Sequence, residues 1–559
     1  RRDTASFLRA LLNQVEAISA AMQAIREVNP NARLIQTEDA GFTRSTPELS
    51  HQARYENQRR WLSFDLLFGR VDDVHPLREH LEQHGIELER LLLLEALPCP
   101  PAVVGLNYYL TSDRFLDQRL NHYPPSVWGS NGRERYADVE AVRVLGEGAR
   151  SHAQVLTEAW KRYGAPVALT EVHLGCAREQ QLRWFRRAWQ DAEAARRAGA
   201  DVKAVTLWSL YGSFDWSNLV TRETGHYEPG AYDVRAERPR ETALLGLASQ
   251  LARGLPDEQK LARAPGWWET PSRWVHFPNG GRRPDRSRCE RDSSPLLVLG
   301  TGPLSRSVLR VCKERGMPVL THGTQLTSDS LSRVLGERPW AIVLAVSRLG
   351  FRRAKALLAP LSGLLERLPV LAFSSDLVFD GSSGPYVESD PAAQTKQGRG
   401  WLEWEAALSH AAPHALVVRT GPLLDPGTDD DPLNRALTRL EQGLSVRLPD
   451  RERITPSYAP HLIETALDLL VDGHRQLWHL ASPSACSPLE LIHAIAERAT
   501  VGTRTLSAGA PSIEGIARGG GGSRALSSLR GMPMPDLHRV IAEYAALFLG
   551  RRSGFGRTG

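Results

Sequence analysis

The sequence predicts an α/β protein, with a partial (β/α)8 barrel followed by a doubly wound Rossmann-type domain. Two observations carry this prediction. In the first half, short apolar strands alternate with long helical patterns, which is typical of parallel sheets. In the second half, an apolar strand at 295–299 runs into glycines and then into a helix, and further apolar strands follow at 340–347, 368–376 and 414–421. That order is typical of dinucleotide-binding architecture.

The chain of 559 residues is too long for one ordinary domain. We place the half barrel at 1–253, a linker at 254–294, the Rossmann-type domain at 295–545 and a tail at 546–559. The linker is assigned from its content of Pro, Gly, Arg and Ser. The alternative is that its tryptophans pin it to the first domain as a tail.

Four strands are predicted in the first half, and each ends in polar or aromatic residues. They are ARLIQTED (32–39), AVVGLNYY (102–109), PVALTE (166–171) and AVTLWSL (204–210). Polar residues at the carboxyl ends of strands are where a β/α barrel places its chemistry. Four strands cannot close an eight-stranded barrel, so we expect the chain to hold only barrel strands 5–8.

The composition favours a globular protein of a reducing compartment. Hydrophobic residues make up 42% and charged residues 24%, and the net charge of +5 is spread along the chain, which predicts no nucleic-acid partner. The five cysteines lack metal-ligand spacing, so no metal site is predicted. No apolar run is long enough for a bilayer and no signal peptide is visible, so we expect a cytoplasmic protein without a membrane partner. The missing initiator Met indicates a fragment.

The glycine loop of the second half departs from the usual dinucleotide pattern. Gly300 and Gly302 stand before the helix, where backbone N–H groups would bind a pyrophosphate, but Ser305 occupies the third glycine position. The second strand, within 317–325, offers no acidic residue for the ribose. We therefore expect dinucleotide binding that is weak or absent and does not favour NADH.

The second half contains six motif-like segments in this order: LLVLGTGPLS, FSSDLVFDG, GPYVESDP, QGRGWLEWE, LVVRTG and ITPSYAPHL. Their order and spacing resemble the dTDP-4-dehydrorhamnose reductase family of extended short-chain dehydrogenases, over about residues 295–500. The resemblance implies NADP or NAD as cofactor and a sugar or nucleotide-linked sugar as ligand. It also implies a Ser/Thr, a Tyr and a Lys around the sugar carbonyl.

When the chain is aligned on that family, its residues at the reactive positions differ from those of the family. Ser375 matches the hydroxyl position and is followed by Asp376, while Gln397 replaces the tyrosine and Trp401 replaces the lysine. Glutamine has no proton to release near neutral pH, and tryptophan has no charge. We therefore expect that the proton-transfer dyad is lost and that Ser375 and Asp376 hold a strand end and a turn. Tyr386 is the alternative proton donor.

Three segments of the first half, VVGLNYYLTS (103–112), ALTEVHLG (168–175) and LWSLYGSFDWSN (207–218), resemble the last strands of the family-1 glycoside hydrolases over about residues 5–235. The resemblance implies Glu171 as the nucleophile. It implies five substrate-binding residues, with Asp215 in place of the usual Glu: Asn107, Tyr108, Trp208, Asp215 and Trp216. A retaining glycosidase needs a second carboxylate roughly 5–5.5 Å from the first. The family's Asn-Glu-Pro is absent, so we expect no hydrolysis by this chain.

The leading hypothesis is a carbohydrate-active protein whose reductase-like second domain binds a nucleotide-linked sugar, and the sequence leaves open whether the domain also reduces it. One alternative is a non-catalytic sensor or scaffold for a sugar or nucleotide-sugar. Another is a β-glycosidase formed by the intact parent chain. The sequence leaves open the sugar, the choice between NAD and NADP, and the oligomeric state.

Overall fold

The computed structural model describes residues 3–218, 221–256, 259–275, 294–323, 334, 336–346, 351–428, 430–517 and 522–552. The chain forms two compact units. The first unit comprises Arg1–Cys176, Gln180–Ser209 and Leu247–Arg291, and the second comprises Ala177–Glu179, Leu210–Gly246 and Asp292–Gly559.

The segment up to residue 207 alternates helices with strands. Its helices are α1 (Thr4–Val28), α2 (Ser50–Arg59), α3 (Leu62–Leu67), α4 (Arg78–Gln83), α5 (Leu88–Ala96), α6 (His152–Tyr163) and α7 (Arg178–Arg197). Its strands are β1 (Ile35–Asp39), β2 (Thr43–Ser45), β3 (Val103–Asn107), β4 (Arg114–Asp117), β5 (Trp128–Ser130), β6 (Arg135–Glu140), β7 (Val167–Val172) and β8 (Val202–Leu207).

The four predicted strands of the first half are all present as β1, β3, β7 and β8. They form one parallel sheet in the order β1-β3-β7-β8, so neighbours in the sheet follow each other along the chain. Within the described residues this sheet is open, since β1 and β8 each pair on one side. The parallel sheet is confirmed, and the partial barrel stays a prediction.

The sequence did not predict the second sheet of the first unit. It has the order β2-β4-β6-β5, with β2 parallel to β4 and the other pairs antiparallel. A separate core forms where apolar positions of α1 meet those of α3, α4 and α5; Leu8 and Leu12 of α1 are almost fully buried there. This core packs together the helices that precede β3 in the chain.

The remaining elements follow in chain order. The helices are α8 (Ala243–Ala252), α9 (Pro303–Glu314), α10 (Phe351–Leu358), α11 (Ser362–Leu365), α12 (Arg399–Ala411), α13 (Pro432–Glu441), α14 (Ala459–Val471), α15 (Pro488–Arg498) and α16 (Leu537–Arg552). The strands are β9 (Ser213–Phe214), β10 (Tyr227–Glu228), β11 (Tyr232–Asp233), β12 (Arg240–Glu241), β13 (Leu296–Leu299), β14 (Val319–His322), β15 (Ala341–Leu344), β16 (Val370–Ser375), β17 (Leu416–Thr420), β18 (Leu423–Leu424), β19 (Val446–Leu448), β20 (Ser457–Tyr458), β21 (Gln476–His479) and β22 (Leu506–Ala508).

A six-stranded parallel sheet forms the centre of the second unit. Its order is β14-β13-β15-β16-β17-β21, and every neighbouring pair is parallel. All residues of β13, β15 and β16 are buried, as expected when helices cover both faces of a parallel sheet. The carboxyl ends of these strands lie at one edge, which is where open α/β sheets bind ligands.

Beyond this edge lies a second apolar core of the same unit. Buried residues of α13, α15 and α16 pack there with β18, β19 and β20. These elements form a lobe, whereas β21 returns to the central sheet, and residues between β17 and α13 line the candidate site.

The observed unit boundaries differ from the predicted ones at three places. Residues 210–246 cluster with the second unit, where Ala243 N–H donates to Asp472 (2.8 Å) and Arg235 donates to the carbonyl of Pro533 (2.7 Å). Part of the predicted linker packs on the first unit, since Arg273 donates to the carbonyl of Val142 (2.6 Å). Helix α16 continues past 545 to Arg552. Residues 276–293 and 553–559 lie outside the described residues.

None of the helices in the described ranges combines the length and the apolar character that a bilayer crossing requires.

Candidate functional site

A cavity of about 400 Å³, called the cleft below, opens at the carboxyl ends of β13, β15, β16 and β17. Helix α9 contributes Pro303 and Leu304, and β16 contributes Phe373 and Ser375. Trp401 of α12 forms another part of the wall. The volume lies within the range of small-molecule sites.

In the glycine loop beside the cleft, glycine is favoured at two positions for different physical reasons. At Gly300, with φ of +142°, a Cβ would meet the carbonyl oxygen of Ala345 at 2.1 Å, so packing against the end of β15 requires glycine. At Gly302, with φ of +106°, a Cβ would meet nothing within 4 Å, so backbone conformation alone favours glycine. The hydroxyl of Ser305 is turned back onto the loop and donates to the carbonyl of Gly300 (3.3 Å).

Ser375 and Asp376 hold the end of β16. The Ser375 hydroxyl accepts from the backbone N–H of Leu377 (3.3 Å) and donates to the carboxylate of Asp376 (2.9 Å), which is fully buried. These bonds close the turn at 376–378. Ser375 also lines the cleft, whereas Asp376 does not belong to its wall.

The two residues at the dyad positions lie in different surroundings. Gln397 is exposed in the turn before α12 and does not line the cleft. Trp401 lines the cleft, is 9% exposed, and packs edge-to-face on Phe351 with ring centroids 4.6 Å apart. Its indole N–H is buried without a hydrogen-bond partner in the described part of the chain. The structure therefore brings only one of the two positions to the cleft.

Tyr386, the alternative proton donor, is used elsewhere. Its ring stacks on Phe379 with centroids 4.1 Å apart, and its hydroxyl donates to Asp380 (2.8 Å). It does not belong to the described wall of the cleft.

An ion pair behind β16 uses a residue of the QGRGWLEWE segment that the sequence analysis left without a role. Glu405 of α12 accepts from both Nε and Nη2 of Arg419 (2.8 and 2.7 Å) and from the hydroxyl of Ser374 (2.5 Å). This bidentate bond ties α12 to the ends of β16 and β17. Glu405 is therefore a structural residue of this segment.

Three aspartates of the cleft wall were missed by the sequence analysis: Asp425, Asp430 and Asp431. Asp425 accepts from Arg310 (2.7 Å) and from the hydroxyl of Ser307 (2.5 Å). Asp430 is exposed, with Oδ2 3.7 Å from Nη2 of Arg306. The signal that could have found them is the run DPGTDDDP (425–432), which follows three residues after the LVVRTG segment.

Asp431 begins helix α13 and is buried. Its carboxylate accepts from the N–H groups of Leu433 (2.9 Å) and Asn434 (3.2 Å) and from the Tyr544 hydroxyl (2.5 Å). Burial raises the pKa of Asp431, and these hydrogen bonds partly offset that effect. The carboxylate is therefore a fixed polar feature at the floor of the lobe.

The residues of the cleft fit a dinucleotide poorly. Pro303 occupies the first helical position and offers no N–H to a pyrophosphate, and the Ser305 side chain takes the place of the third glycine. Among the described lining residues there is no Lys or Arg. Trp401, at the lysine position, cannot grip a ribose by charge.

In the first unit, Glu171 lies near the end of β7, opposite Asn107 of β3. The hydroxyl of Tyr109 donates to the Glu171 carboxylate. Asn107 accepts from the hydroxyl of Thr170 (2.7 Å). The structure thus brings Asn107 and Glu171 together and adds Tyr109 to them.

Tyr108, implied by the resemblance to support Glu171, is in another position. It is fully buried and its hydroxyl donates to the carbonyl of Arg150 (3.0 Å). The physical reason is alternation, because successive side chains of extended backbone point to opposite faces. The assignment of Tyr108 was therefore one residue too early, and the second tyrosine of NYY was the available signal.

The other predicted sugar contacts are divided between the units. Trp208 lies in the first unit and packs edge-to-face on His173, with ring centroids 4.9 Å apart. Asp215 and Trp216 belong to the second unit. The Asp215 carboxylate accepts the N–H groups of Thr224 (3.0 Å) and Gly225 (3.2 Å), so it holds a turn. Trp216 is about half exposed.

Within the described ranges, no group of three or more His, Cys, Asp or Glu side chains could hold a metal ion.

Two sequence comparisons concern the second unit. Residues 356–515 match the family model described as the RmlD substrate binding domain. The probable low-salt glycan biosynthesis reductase Agl14 of Haloferax volcanii is 33% identical over 138 residues, which is 24% of this chain. The match covers 46% of that relative, or about half its length.

Solved structures resemble somewhat less than half of the chain. The dTDP-4-dehydrorhamnose reductase of Clostridium acetobutylicum is 17% identical, with a TM-score of 0.38 over 45% of this chain and 99% of that one. That of Bacillus anthracis in complex with NADP is 14% identical, with a TM-score of 0.38 over 45% and 97%. The UDP-glucose 4-epimerase of Thermotoga maritima with UDP-glucose is 14% identical, with a TM-score of 0.39 over 46% and 99%. At these identities and scores the likeness says nothing about activity.

Proposed function

We propose that the second unit is a ligand-binding domain related to the sugar-nucleotide reductases, and that it does not reduce its ligand by the tyrosine–lysine mechanism. The single observation that carries this proposal is the state of the dyad positions. Trp401 packs on Phe351 at the cleft wall, and Gln397 is exposed outside it. The match of residues 356–515 to the RmlD substrate binding domain supports the relationship.

Reduction of a carbonyl requires a hydride and a proton at the same place. The described cleft wall offers the hydroxyls of Ser375, Thr420 and Thr428 and the carboxylates of the aspartates. A serine or threonine hydroxyl is a poor proton donor unless a neighbouring cation lowers its pKa, and no described lining residue supplies that cation. The cleft therefore keeps groups that bind and orient a ligand and lacks the pair that moves the proton.

The second candidate is a reductase in which another residue donates the proton. The match to a relative described as a probable reductase favours it. In that case the nucleotide-linked sugar and NADP or NAD would occupy the cleft together. The poor fit of the glycine loop and the wall to a dinucleotide weighs against this candidate.

For the first unit we propose a sugar-binding edge of a glycosidase-like sheet. The bond from Tyr109 to Glu171 supports it, because a nucleophilic carboxylate must be held in place. A β-glycosidase would require an acid/base carboxylate from the intact parent chain. The partial barrel, the cytoplasmic location and the lack of nucleic-acid and membrane partners stay predictions.

The test is a turnover assay on the chain 1–559. Oxidation of NADPH and NADH is followed with dTDP-4-dehydrorhamnose, and a dTDP-4-dehydrorhamnose reductase with an intact dyad serves as the positive control. We expect no turnover above background. Turnover at an ordinary enzymatic rate, about 1 s⁻¹ or faster, would overturn the proposal.

A further inference from the structure

The chemistry of the cleft wall can be compared with the charge of its possible ligands. An aromatic side chain provides a flat apolar surface. Hydroxyls and carboxylates of the wall accept hydrogen bonds from ligand hydroxyl groups, and wall hydroxyls also donate to them. A nucleoside diphosphate sugar or a dinucleotide also carries negative charge, which needs cations or free N–H groups. The described cleft wall has an apolar part and a polar part.

The apolar part of the wall is built around one tryptophan. Trp401 is nine-tenths buried, lies at the cleft, and has an indole N–H with no partner in the described part of the chain. Leu304, Leu377 and Leu423 extend the apolar surface around it. The indole N–H is buried within the wall, so the ring offers a ligand an apolar surface and not a hydrogen bond.

The polar part of the wall is negative. Asp425, Asp430 and Asp431 line the cleft, together with the neutral hydroxyls of Thr420 and Thr428. Both oxygens of the Asp425 and Asp431 carboxylates already accept bonds from the protein, which fixes their positions. Asp425 accepts three bonds and retains acceptor capacity for a hydroxyl hydrogen, because a carboxylate has about four lone-pair sites, whereas Asp431 already accepts four bonds.

The nearest arginines face these aspartates. Arg310 donates to Asp425 (2.7 Å), and Nη2 of Arg306 lies 3.7 Å from Asp430. Their charge is therefore balanced by the aspartates, and Pro303 removes one of the N–H groups that a helix start would offer to an anion. An incoming pyrophosphate would meet uncompensated negative charge from Asp431.

We infer that the cleft takes an uncharged polyhydroxylated ligand, a free sugar or glycoside, in preference to a nucleotide-linked sugar or a dinucleotide. This inference deepens the proposed function and rests on it. It assigns the aspartates a role in selecting against anionic ligands, since like charges at a site discriminate by repulsion. Trp401 then serves as the surface on which the apolar face of the sugar lies.

The test is calorimetry on the chain 1–559 with three neutral glycosides (methyl β-D-glucopyranoside, methyl α-L-rhamnopyranoside and cellobiose), with dTDP-glucose and with NADPH. We expect at least one glycoside to bind, with an affinity that changes less than about twofold between low salt and about 0.3 M salt. We expect dTDP-glucose and NADPH to bind at least about tenfold more weakly. Stronger binding of either anion, or no glycoside binding at about 10 mM, would overturn the inference.

Two variants locate the binding and test the charge. Trp401→Phe should weaken glycoside binding about fivefold or more while thermal melting confirms the fold. Asp430→Lys should strengthen dTDP-glucose binding about fivefold relative to glycoside binding. The matched control is Asp450→Lys, an exposed position outside the cleft, which should change neither. Glycoside binding that is lost in Glu171→Gln and retained in Trp401→Phe would place it in the first unit and contradict the inference.

The same samples separate this inference from the proposed function. NADPH-dependent turnover of dTDP-4-dehydrorhamnose would contradict the proposed function whatever the order of affinities. Tighter binding of dTDP-glucose without turnover would contradict the inference alone.

Discussion

Trp401 occupies the position that the sequence resemblance assigns to a lysine, and its ring is part of the packing of the second unit. It is buried, packs on Phe351 and belongs to the main core of the second unit. Replacing it with lysine removes an aromatic ring from this core and adds a charge at the cleft wall. Loss of a buried aromatic side chain typically costs about 3–5 kcal/mol in the free energy of unfolding. A lysine at this position would therefore change both the charge of the cleft and the stability of the unit.

Restoring reduction requires changes at both dyad positions. Gln397→Tyr alone places a phenol of pKa about 10 with nothing beside it to lower that pKa. Trp401→Lys alone provides a cation without a proton donor. The double variant should gain less NADPH-dependent reduction of dTDP-4-dehydrorhamnose than the about 10²–10⁴-fold that general acid catalysis contributes, because position 397 lies outside the described cleft wall. Initial rates measured with saturating NADPH check this.

The matched control for the dyad is Gln397→Phe combined with Trp401→Lys, which has the ring and the cation but no hydroxyl. It should show no gain. Thermal melting of each variant accounts for the packing lost at Trp401. An equal gain in the control would show that the phenol is not the proton donor and that the dyad positions are misassigned.

The bond between Glu405 and Arg419 predicts a large effect on stability. Arg419 is 5% exposed and makes two bonds to the carboxylate, so Glu405→Gln leaves a buried guanidinium without its counter-ion. We expect a loss of about 3 kcal/mol in the free energy of unfolding, measured by urea denaturation.

The control is on the same helix. Glu403 pairs with Lys355 (2.6 Å), but both side chains are substantially exposed. Glu403→Gln should therefore cost less than about 1 kcal/mol, as exposed ion pairs do. Similar losses in the two variants would mean that Glu405 contributes no more than a surface acid.

At the scale of elements, the turn between α14 and β21 contains two titratable groups, Asp472 and His474, whose pKa values are shifted in opposite directions. Burial raises the pKa of Asp472 to about 6, although Arg178 lies 2.9 Å away. Burial, with the positive charges of Arg240 and Arg530, lowers the pKa of His474 to about 4. Both groups are held in the second unit by the packing around β21.

The two groups should oppose each other in the pH dependence of stability. The folded protein holds the Asp472 proton up to about pH 6, so this contribution is present at low pH and is lost as pH rises from about 4 to 6. The folded protein keeps His474 neutral, so that contribution is present above about pH 6.5 and is lost as pH falls toward 4. Between pH 4 and 6 the two slopes partly cancel.

Each single variant should reveal the slope of the other group. In His474→Gln, the free energy of unfolding should fall as pH rises from about 4 to 6 relative to the unmodified chain. In Asp472→Asn it should rise with pH over that interval. Urea denaturation at a series of pH values measures both, and His493→Gln, at an exposed histidine of α15, is the control. Slopes of the same sign in the two variants would contradict this account of the turn.

For the whole molecule, we expect the chain 1–559 not to hydrolyse glycosides. Glu171 is held by Tyr109, but hydrolysis with retention needs a second carboxylate roughly 5–5.5 Å away. The candidate acids of β1 have other bonds: Glu38 accepts from Gln36 (3.0 Å), and Asp39 accepts from Ser112 (2.6 Å). The measurement is release of nitrophenol from aryl β-glucosides. Turnover that disappears in Glu171→Gln would contradict the prediction.

The sequence by itself determined most strands of the two main parallel sheets and their order along the chain, but not the second sheet of the first unit. The four strands of the first half were readable because each is a short apolar run between helical patterns. The buried strands β13, β15, β16 and β17 were readable for the same reason. The assignment of Gln397 and Trp401 to the Tyr and Lys positions also comes from the sequence, because it depends only on spacing within one segment, and it stays a prediction.

Only the tertiary structure decided which side chains meet. Tyr109 rather than Tyr108 reaches Glu171, because the direction of a side chain depends on the local backbone and not on the motif letters. Segment 210–246 joins the second unit through bonds to residues more than two hundred positions away, such as Ala243 to Asp472. Asp425, Asp430 and Asp431 reach the cleft because the lobe that contains them packs at the sheet edge. Such contacts join residues that are distant along the chain, and local patterns carry no information about them.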